Sequence, residues 1–221
     1  ISSSPQAIGA SCGIQVTPTA RLGNAERFDY IAVVGGLLDV EEPLDRGTIA
    51  FIKDAAQKKV TIVGVCTGSF VLWRLGLLNQ KKCCISWYHY RDFLEEFGET
   101  LPVADQLFVI DGNRITCSGG MGVAYLAAHI VEQRMGLSSA QKALHIMLID
   151  RMKPGSSAQS APPTEFAETD GRISRALLMM EQNLSAPLSV ARLAGKVNLS
   201  TRQLERLFKE ETGQSPQATY L

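Results

Sequence analysis

The sequence has the composition of an ordinary globular protein without net charge. It contains 221 residues, with 22 basic and 22 acidic side chains and 45% hydrophobic residues. This length is sufficient for one full hydrophobic core and a second small one. No apolar run reaches the roughly 18 residues that a membrane span needs, and no basic and then apolar leader precedes the first domain, so we expect no membrane partner.

The cysteine pattern argues against both a disulfide framework and a structural metal site. The five residues are Cys12, Cys66, Cys83, Cys84 and Cys117. Their number is odd, none forms a CxxC pair, and two are chain neighbours, which seldom bridge to each other. We therefore expect reduced thiols, no bound metal or other cofactor, and a cytoplasmic location.

The first secondary-structure signals follow a polar start. Residues 1–22 carry only short β-prone pieces such as 13–17. A buried-strand run at 30–34 stops at a pair of glycines, and residues 45–58 then place apolar side chains at helical spacing. This succession predicts a strand, a glycine turn and a helix.

A second and more informative strand-to-helix turn surrounds Cys66. Residues 61–65 form a β-branched apolar run short enough for a buried strand, and apolar side chains then recur at helical spacing. Cys66 lies inside Gly64-x-Cys66-x-Gly68, the thiol counterpart of a nucleophile elbow, where flanking glycines allow a tight turn. Backbone N–H groups at the start of the new helix would point to the same spot, so we expect a site for something small and anionic.

The rest of the first domain predicts the same kind of sheet. A short amphipathic helix at 92–97 precedes strands at 106–110 and 114–117, and a glycine-rich turn at 118–122 leads into a helix at 123–135. Alternating strands and helices predict an α/β fold with a doubly wound, mostly parallel sheet flanked by helices. The glycine turns would gather at the carboxyl ends of the strands, where such sheets bind ligands.

The composition changes after this domain, which we place at residues 1–152. Residues 153–169 are rich in Pro, Ser and Thr and lack periodicity, so they predict a flexible linker. Beyond them the signals are only helical, and a small all-α domain is expected at 170–221. An apolar stripe there predicts a first helix that Pro187 ends.

Two short helices follow, each with a cap that is visible in the sequence. Ser189 begins the first, and Ser200 with Gln203 forms a capping box for the second, which Gly213 ends. The second helix has an apolar face and a basic face. With a tight turn around Asn198 before it, this arrangement predicts a helix-turn-helix whose basic face contacts DNA.

Charge alone does not separate DNA binding from a solvated helical bundle, because residues from 170 onward hold seven basic and five acidic side chains. The motifs at 188–194, 199–209 and 213–216 are more specific, since they resemble the first helix-turn-helix of the AraC-type transcription regulators. The resemblance implies operator DNA as a partner, contacted by Ser200, Thr201, Arg202, Gln203, Arg206 and Lys209. Members of that family carry a second helix-turn-helix, so we expect the chain to be a fragment.

The first domain resembles the PfpI-like, class I glutamine-amidotransferase-like domain that one large branch of AraC-type regulators uses as its sensor. The matching residues are Val33-Val34-Gly35-Gly36, Gly64-Val65-Cys66-Thr67-Gly68, Gly76-Leu77-Leu78 and the Gly119-Gly120 turn. Compared with that family, the chain lacks the opening strand and helix. In the enzymes, that part supplies the acidic partner of the cysteine.

The residues that would make Cys66 a nucleophile are largely replaced. A catalytic thiolate needs an activating base within reach. In the protease-like members a histidine directly follows the cysteine, where this chain has Thr67, and many sensor-type relatives have His-Trp where it has Ser86-Trp87. His89 is the remaining candidate base, and an aromatic loop over the pocket is the alternative role for its segment. His129, His145, Cys83, Cys84 and Cys117 are predicted to be structural.

These expectations combine in a homodimeric, effector-responsive transcription regulator that is not an enzyme, with Cys66 and His89 as vestigial catalytic residues. The effector would bind at the elbow, and the resemblance implies amino acids or quaternary amines. The predicted ligand-binding residues are Gly35, Gly36, Cys66, Thr67, Ser86, Trp87, Gly119 and Gly120. The N–H groups of Gly36 and Thr67 would bind a carboxylate, and Trp87 or Tyr88 a cation. The alternative is a cysteine-dependent amidase, hydrolase or glyoxalase-like hydratase that uses Cys66, with an appended helical module.

Overall fold

The computed structural model describes most of the chain, namely residues 1–10, 12–36, 38, 44–98, 102–159, 170–182 and 187–220. Within these ranges the chain forms an α/β unit and a small helical unit. Each unit has hydrophobic clusters of its own.

The described residues include six strands, which form a short ribbon and a central sheet. The strands are β1 (Ile8–Gly9), β2 (Gln15–Val16), β3 (Tyr30–Val34), β4 (Thr61–Val65), β5 (Phe108–Asp111) and β6 (Arg114–Cys117). The first two pair with each other, and the sheet has the order β3-β4-β6-β5. β4 pairs in parallel with both β3 and β6, whereas β5 and β6 form an antiparallel hairpin. The predicted mostly parallel sheet is thus confirmed.

Helices cover both faces of this sheet. They are α1 (Arg46–Gln57), α2 (Gly68–Arg74), α3 (Tyr90–Phe97), α4 (Met121–Met135) and α5 (Leu137–Ile146). Successive side chains of a strand point to opposite faces. Accordingly, Ile62 of β4 belongs to the cluster with residues of α1, α2 and α3, and Val63 belongs to the cluster with residues of α4.

The first helix illustrates how a local signal sets an element boundary. Asp45 is the N-cap of α1, because its carboxylate accepts hydrogen bonds from the Thr48 amide at 3.0 Å and from the Thr48 hydroxyl at 2.6 Å. The Ser3 hydroxyl also donates to Asp45, at 2.8 Å. The bonds from Thr48 and Ser3 lower the pKa of Asp45 to about 2. Phe51 of this helix is buried, although the sequence analysis did not single it out.

Residues 153–159, which the composition assigned to a flexible linker, pack against the α/β unit. We call them the strap. The carbonyl of Gly155 accepts hydrogen bonds from the amides of Leu107 at 2.9 Å and Phe108 at 3.3 Å. Gln159 is 5% exposed. These contacts extend the α/β unit to residue 159, and the remainder of the expected linker lies outside the described residues.

The helical unit contains α6 (Gly171–Gln182), α7 (Val190–Lys196), α8 (Thr201–Thr212) and α9 (Pro216–Thr219). Its core is built from α6, α7 and α8, with the buried side chains of Ile173, Ala176, Met179, Met180, Leu193, Ala194, Val197, Leu204 and Phe208. The predicted caps are confirmed. Ser189 caps α7, Ser200 and Gln203 form the capping box of α8, and Gly213 ends α8 with a φ of 74°.

None of the helices in the described ranges is long and apolar enough to cross a membrane. In the same ranges, no cluster of three or more His, Cys, Asp or Glu side chains could hold a metal ion. All five cysteines are free thiols, and Cys83, Cys84 and Cys117 are buried.

Candidate functional sites

The backbone of Cys66 has the geometry of a nucleophile elbow. The residue has a φ of 54° in the left-handed region, which is costly for a side chain other than glycine and is found where the surrounding structure enforces it. Its amide donates to the Cys117 carbonyl at 3.2 Å, and its own carbonyl accepts from the Ser69 amide at 3.2 Å and the Ser69 hydroxyl at 2.8 Å. The predicted strand, sharp turn and helix around Cys66 are therefore present.

Glycines allow the turn after β3 to lie directly against the elbow. A Cβ on Gly35 would lie 2.1 Å from Oγ1 of Thr67, and a Cβ on Gly68 would lie 2.1 Å from the carbonyl oxygen of Val33. No side chain could be accommodated at these distances without moving backbone atoms. The tight contact places Gly36 next to Thr67 and forms one wall of the candidate pocket.

The hydroxyl of Thr67 forms a hydrogen bond within this wall and is not available to a ligand. Its side chain is 4% exposed, and Oγ1 donates to the Gly36 carbonyl at 2.7 Å. Within the described part of the chain, the amides of Gly36 and Thr67 have no hydrogen-bond acceptor. These N–H groups are the polar features of the wall that a ligand could use.

The glycine turn after β6 forms the opposite wall. A Cβ on Gly119, whose φ is 89°, would lie 2.7 Å from Sγ of Cys66. Gly120 follows with a φ of 52° and has open space around its Cα. The structure thus brings six of the eight predicted ligand-binding residues together: Gly35, Gly36, Cys66, Thr67, Gly119 and Gly120.

The other two predicted residues lie on a separate segment. Trp87–His89 is a 3-10 turn, and the Ser86 hydroxyl caps it by accepting a hydrogen bond from the Tyr88 amide at 3.3 Å. The 3-10 turn contacts the elbow helix through aromatic rings: the ring centroid of His89 lies 6.2 Å from that of Phe70 on α2. Ser86 and Trp87 are thus linked to Cys66 through α2.

His89 is directed toward a carboxylate. Its Nδ1 lies 2.7 Å from Oδ2 of Asp92, and its ring contacts Phe70 and Tyr88. Among the described residues, no hydrogen bond joins His89 to the thiol of Cys66. The arrangement orients the imidazole but does not form a thiol–imidazole pair.

The three buried cysteines are poor nucleophiles. Burial raises the pKa of Cys83 to about 12 and the pKa of Cys84 well above its ordinary value, and it also raises the pKa of Cys117. Because the thiolate is the reactive form, these residues remain protonated and inert at neutral pH. This agrees with their predicted structural role.

A cavity of about 730 Å³ lies away from the elbow, between β5, α4 and the strap. It is open to solvent and contains none of the predicted ligand-binding residues. Both apolar and charged side chains line it, among them Phe108, His129, Glu132, Met152 and Lys153. The sequence contains no signal for this cavity, because its wall includes part of the segment whose composition predicts a linker.

The exposed face of α8 carries the predicted DNA-binding residues. Thr201, Arg202, Arg206 and Lys209 are exposed. Arg206 lies 3.7 Å from Glu210, an exposed pair of small energetic value that DNA phosphates could replace. Ser200 and Gln203 are used in the cap, since the Gln203 carboxamide oxygen accepts from the Ser200 amide at 2.9 Å. Their role as DNA contacts stays a prediction.

Gln159 is a buried polar residue that the sequence analysis missed. Its carboxamide oxygen accepts from the Trp87 amide at 3.0 Å, and its nitrogen donates to the carbonyls of Ile85 and Gln106, both at 2.7 Å. A single glutamine in a segment without periodicity gives no sequence signal of burial. Its contacts connect the strap with the 3-10 turn.

Two family matches cover the two units. Residues 1–133 match the DJ-1/PfpI family, and residues 180–219 match the bacterial regulatory helix-turn-helix proteins of the AraC family. The HTH-type transcriptional regulator GbdR of Pseudomonas aeruginosa is 31% identical over 215 residues, which are 97% of this chain and 58% of GbdR. The chain thus spans somewhat more than half the length of this relative.

Two further similarities concern the α/β unit. Isonitrile hydratase of Pseudomonas putida is 33% identical over 139 residues, which cover 61% of this chain and 58% of the enzyme. A crystal structure of an AraC family transcriptional regulator from Pseudomonas putida has a TM-score of 0.54 and 22% identity, covering 66% of this chain and 77% of the other. At this identity, the structural similarity shows the fold alone.

Proposed function

Because the chain belongs to the DJ-1/PfpI family and carries an AraC-family helix-turn-helix segment, we propose that it acts as a DNA-binding transcription regulator whose α/β unit senses a small metabolite. The observation that carries this proposal is the presence of both units in one chain. The alignment with GbdR supports it, since it extends over 97% of the chain and therefore includes both units. We propose a homodimer as the DNA-binding form, because operator sites with two half-sites are read by two-fold symmetric proteins.

The proposed sensor site is the pocket around Cys66. A ligand carboxylate would bind the N–H groups of Gly36 and Thr67, which have no acceptor among the described residues. A cationic end would contact the ring of Trp87 or Tyr88 through cation–π attraction. Amino acids and quaternary amines combine these features, and we propose them as the effector classes.

The same pocket is proposed to be non-catalytic. His89 is paired with Asp92 rather than with the thiol, and the hydroxyl of Thr67 is used by the Gly36 carbonyl. Without a base, proton transfer to or from the thiol lacks an assistance that is worth about 10²–10⁴ in rate. The pocket would then bind its effector without converting it.

A second function is favoured by one observation. The chain is 33% identical over 139 residues to isonitrile hydratase, so a thiol-dependent hydratase or hydrolase is the alternative. This alternative requires that Cys66 become a thiolate and that a base reach it in the complex with substrate. It predicts turnover, whereas the regulator requires sequence-specific DNA binding.

Both functions can be tested with the full-length protein. Fluorescence anisotropy with DNA from the region upstream of its own gene should show tight, salt-sensitive binding that amino acids or quaternary amines change. Sedimentation of the same preparation reports whether the DNA-bound form is a dimer. Binding that is equal for unrelated DNA of the same length would refute the regulator, and steady turnover of an isonitrile would establish the alternative.

A further inference from the structure

The side-chain carboxamide of Gln159 fixes the strap to the α/β unit through three hydrogen bonds. Gln159 accepts one hydrogen bond through its oxygen and donates both hydrogens of its nitrogen to carbonyl oxygens. The residue is 5% exposed. These hydrogen bonds fix the position of Gln159. If one of them were lost, a buried polar group would be left without a partner, which is energetically unfavourable.

The hydrogen bond to Trp87 makes Gln159 part of the 3-10 turn. The Ser86 hydroxyl accepts from the amide of Tyr88, so the amide of Trp87 needs a different acceptor at this end of the turn. The Gln159 oxygen provides it at 3.0 Å. The strap thereby caps the turn that carries two of the predicted pocket residues.

The turn is also in contact with the elbow. His89, its last residue, packs edge-on against Phe70 at a centroid distance of 6.2 Å. Phe70 is 1% exposed on α2, and its amide donates to the carbonyl of Thr67 at 3.0 Å. Because Phe70 is buried, a ligand that moves Thr67 or α2 would change the contact between Phe70 and the partly exposed His89 ring.

The chain continues from Gln159 through residues 160–169 to the helical unit. The position of Gln159 therefore sets the point at which the helical unit is attached to the sensor.

We propose that Gln159 is the coupling residue between the elbow pocket and the helical unit. In the structure the carboxamide of Gln159 holds the C-terminal end of the strap on the turn. An effector that shifts Trp87 breaks this hydrogen bond and frees that end, while Gly155 stays bound to Leu107 and Phe108. This inference rests on the proposed function, since it assigns the route by which the sensor affects DNA binding. Differential binding of the effector to the two strap states supplies the energy for the change.

The coupling has a direct test that needs no effector. Amide hydrogen exchange of residues 85–90 is measured by mass spectrometry in the full-length wild type, in Gln159→Leu and in the control Gln133→Leu, which changes an exposed glutamine of α4. We expect exchange at least about tenfold faster in Gln159→Leu, because an amide is protected only while its hydrogen bond persists. Unchanged exchange would overturn the coupling.

A second variant guards against a folding defect. Gln159→Glu keeps an oxygen for the Trp87 amide but has no hydrogens at pH 7 to donate to the carbonyls of Ile85 and Gln106. It should increase exchange in the same segment while the exchange of β4 stays as in the wild type. Faster exchange throughout the α/β unit in both variants would show a general destabilisation and would overturn the specific coupling.

The regulatory consequence is measured in cells with a reporter under the operator of the full-length protein. Amino acids and trimethylammonium compounds serve as probes. The wild type and Gln133→Leu should respond to a probe, whereas Gln159→Leu should give the effector-induced output without any probe. A responsive wild type with an equally responsive Gln159→Leu variant would refute the coupling alone, and a wild type without any operator-dependent output would refute the proposed function instead.

Discussion

Gly119 lies against the thiol of Cys66, at a distance that excludes a side chain. A Cβ on Gly119 would be 2.7 Å from Sγ of Cys66 and 2.8 Å from its Cβ. The φ of Gly119 is 89°, a conformation that other residues adopt only with strain. The position of this glycine therefore fixes both the direction of the thiol and the space in front of it.

A Gly119→Ala change should destabilise the α/β unit and weaken effector binding. The methyl group must displace Cys66, and the backbone must hold an unfavourable φ, so we expect a loss of about 1–3 kcal/mol in the free energy of unfolding. Denaturant unfolding measures it. Gly23→Ala is the matched control, because a Cβ on Gly23 has no atom within 4 Å. Equal stability of the two variants would contradict the pocket geometry.

Substitution of Cys66 by alanine should leave regulation by the effector in place. In the described ranges no hydrogen bond joins the thiol to a base, so under the proposed non-catalytic role its loss removes packing alone. We expect a modest change in effector affinity and no turnover of isonitriles, amides, esters or glyoxals by the wild type or by the control Cys12→Ala. Product formation that disappears in Cys66→Ala but persists in Cys12→Ala would show that the protein is a Cys66-dependent enzyme and would contradict the proposed non-catalytic sensor.

A bulky side chain at the same position should have the opposite effect on sensing. Cys66→Trp would fill the space in front of the elbow, so effector binding should be abolished while DNA binding continues. Calorimetry of effector binding and anisotropy of operator binding separate the two activities. Normal effector affinity in this variant would place the effector elsewhere, with the cavity between β5, α4 and the strap as the next candidate.

The basic face of α8 should determine operator affinity. Arg202→Ala and Arg206→Ala remove exposed positive charges, and we expect a loss of about 1–3 kcal/mol where the side chain reads a base and a salt slope reduced by about 1 where it contacts a phosphate. Lys142→Ala, on the exposed surface of α5, is the control for a general charge effect. Operator affinity that is unchanged in both arginine variants would exclude α8 as the recognition helix.

The cap of α1 predicts a pH dependence of stability. The pKa of Asp45 is about 2 in the folded chain, below its ordinary value of 3.8. The ionised cap therefore stabilises the fold above pH 3.8, and this contribution is lost as the pH falls from 3.8 toward 2. Asp45→Asn retains a capping side chain that does not titrate. The stability difference between the wild type and Asp45→Asn should be constant from pH 7 to 5 and should shrink below pH 4, as denaturant unfolding will show.

The parts of the fold that have short-range signals could be predicted from the sequence. The elbow strand, its glycine turn and the capped helices of the helix-turn-helix are determined by neighbouring residues, and the structure contains them at the expected positions. The predicted grouping of Cys66 with Gly35 and Gly119 followed from the rule that turns gather at the carboxyl ends of parallel strands. Each of these predictions depended either on the spacing of residues within one segment or on the order and direction of the strands in the sheet.

The contacts that could not be predicted join distant segments through single polar groups. Gln159 reaches residues 72 and 74 positions away, Trp87 and Ile85. The Thr67 hydroxyl donates to the carbonyl of Gly36, 31 positions away. Such pairings depend on the packed backbone, and no periodicity in the chain encodes them.

The strap has a protective consequence for the α/β unit. β5 is the last strand at one edge of the sheet. The amide of its first residue, Phe108, and that of the preceding Leu107 donate to the carbonyl of Gly155. Uncovered edge strands are templates for pairing between chains, and proteins commonly cover them to avoid aggregation. A chain cut after residue 152 would therefore expose this edge and precipitate more readily than a chain cut after residue 159.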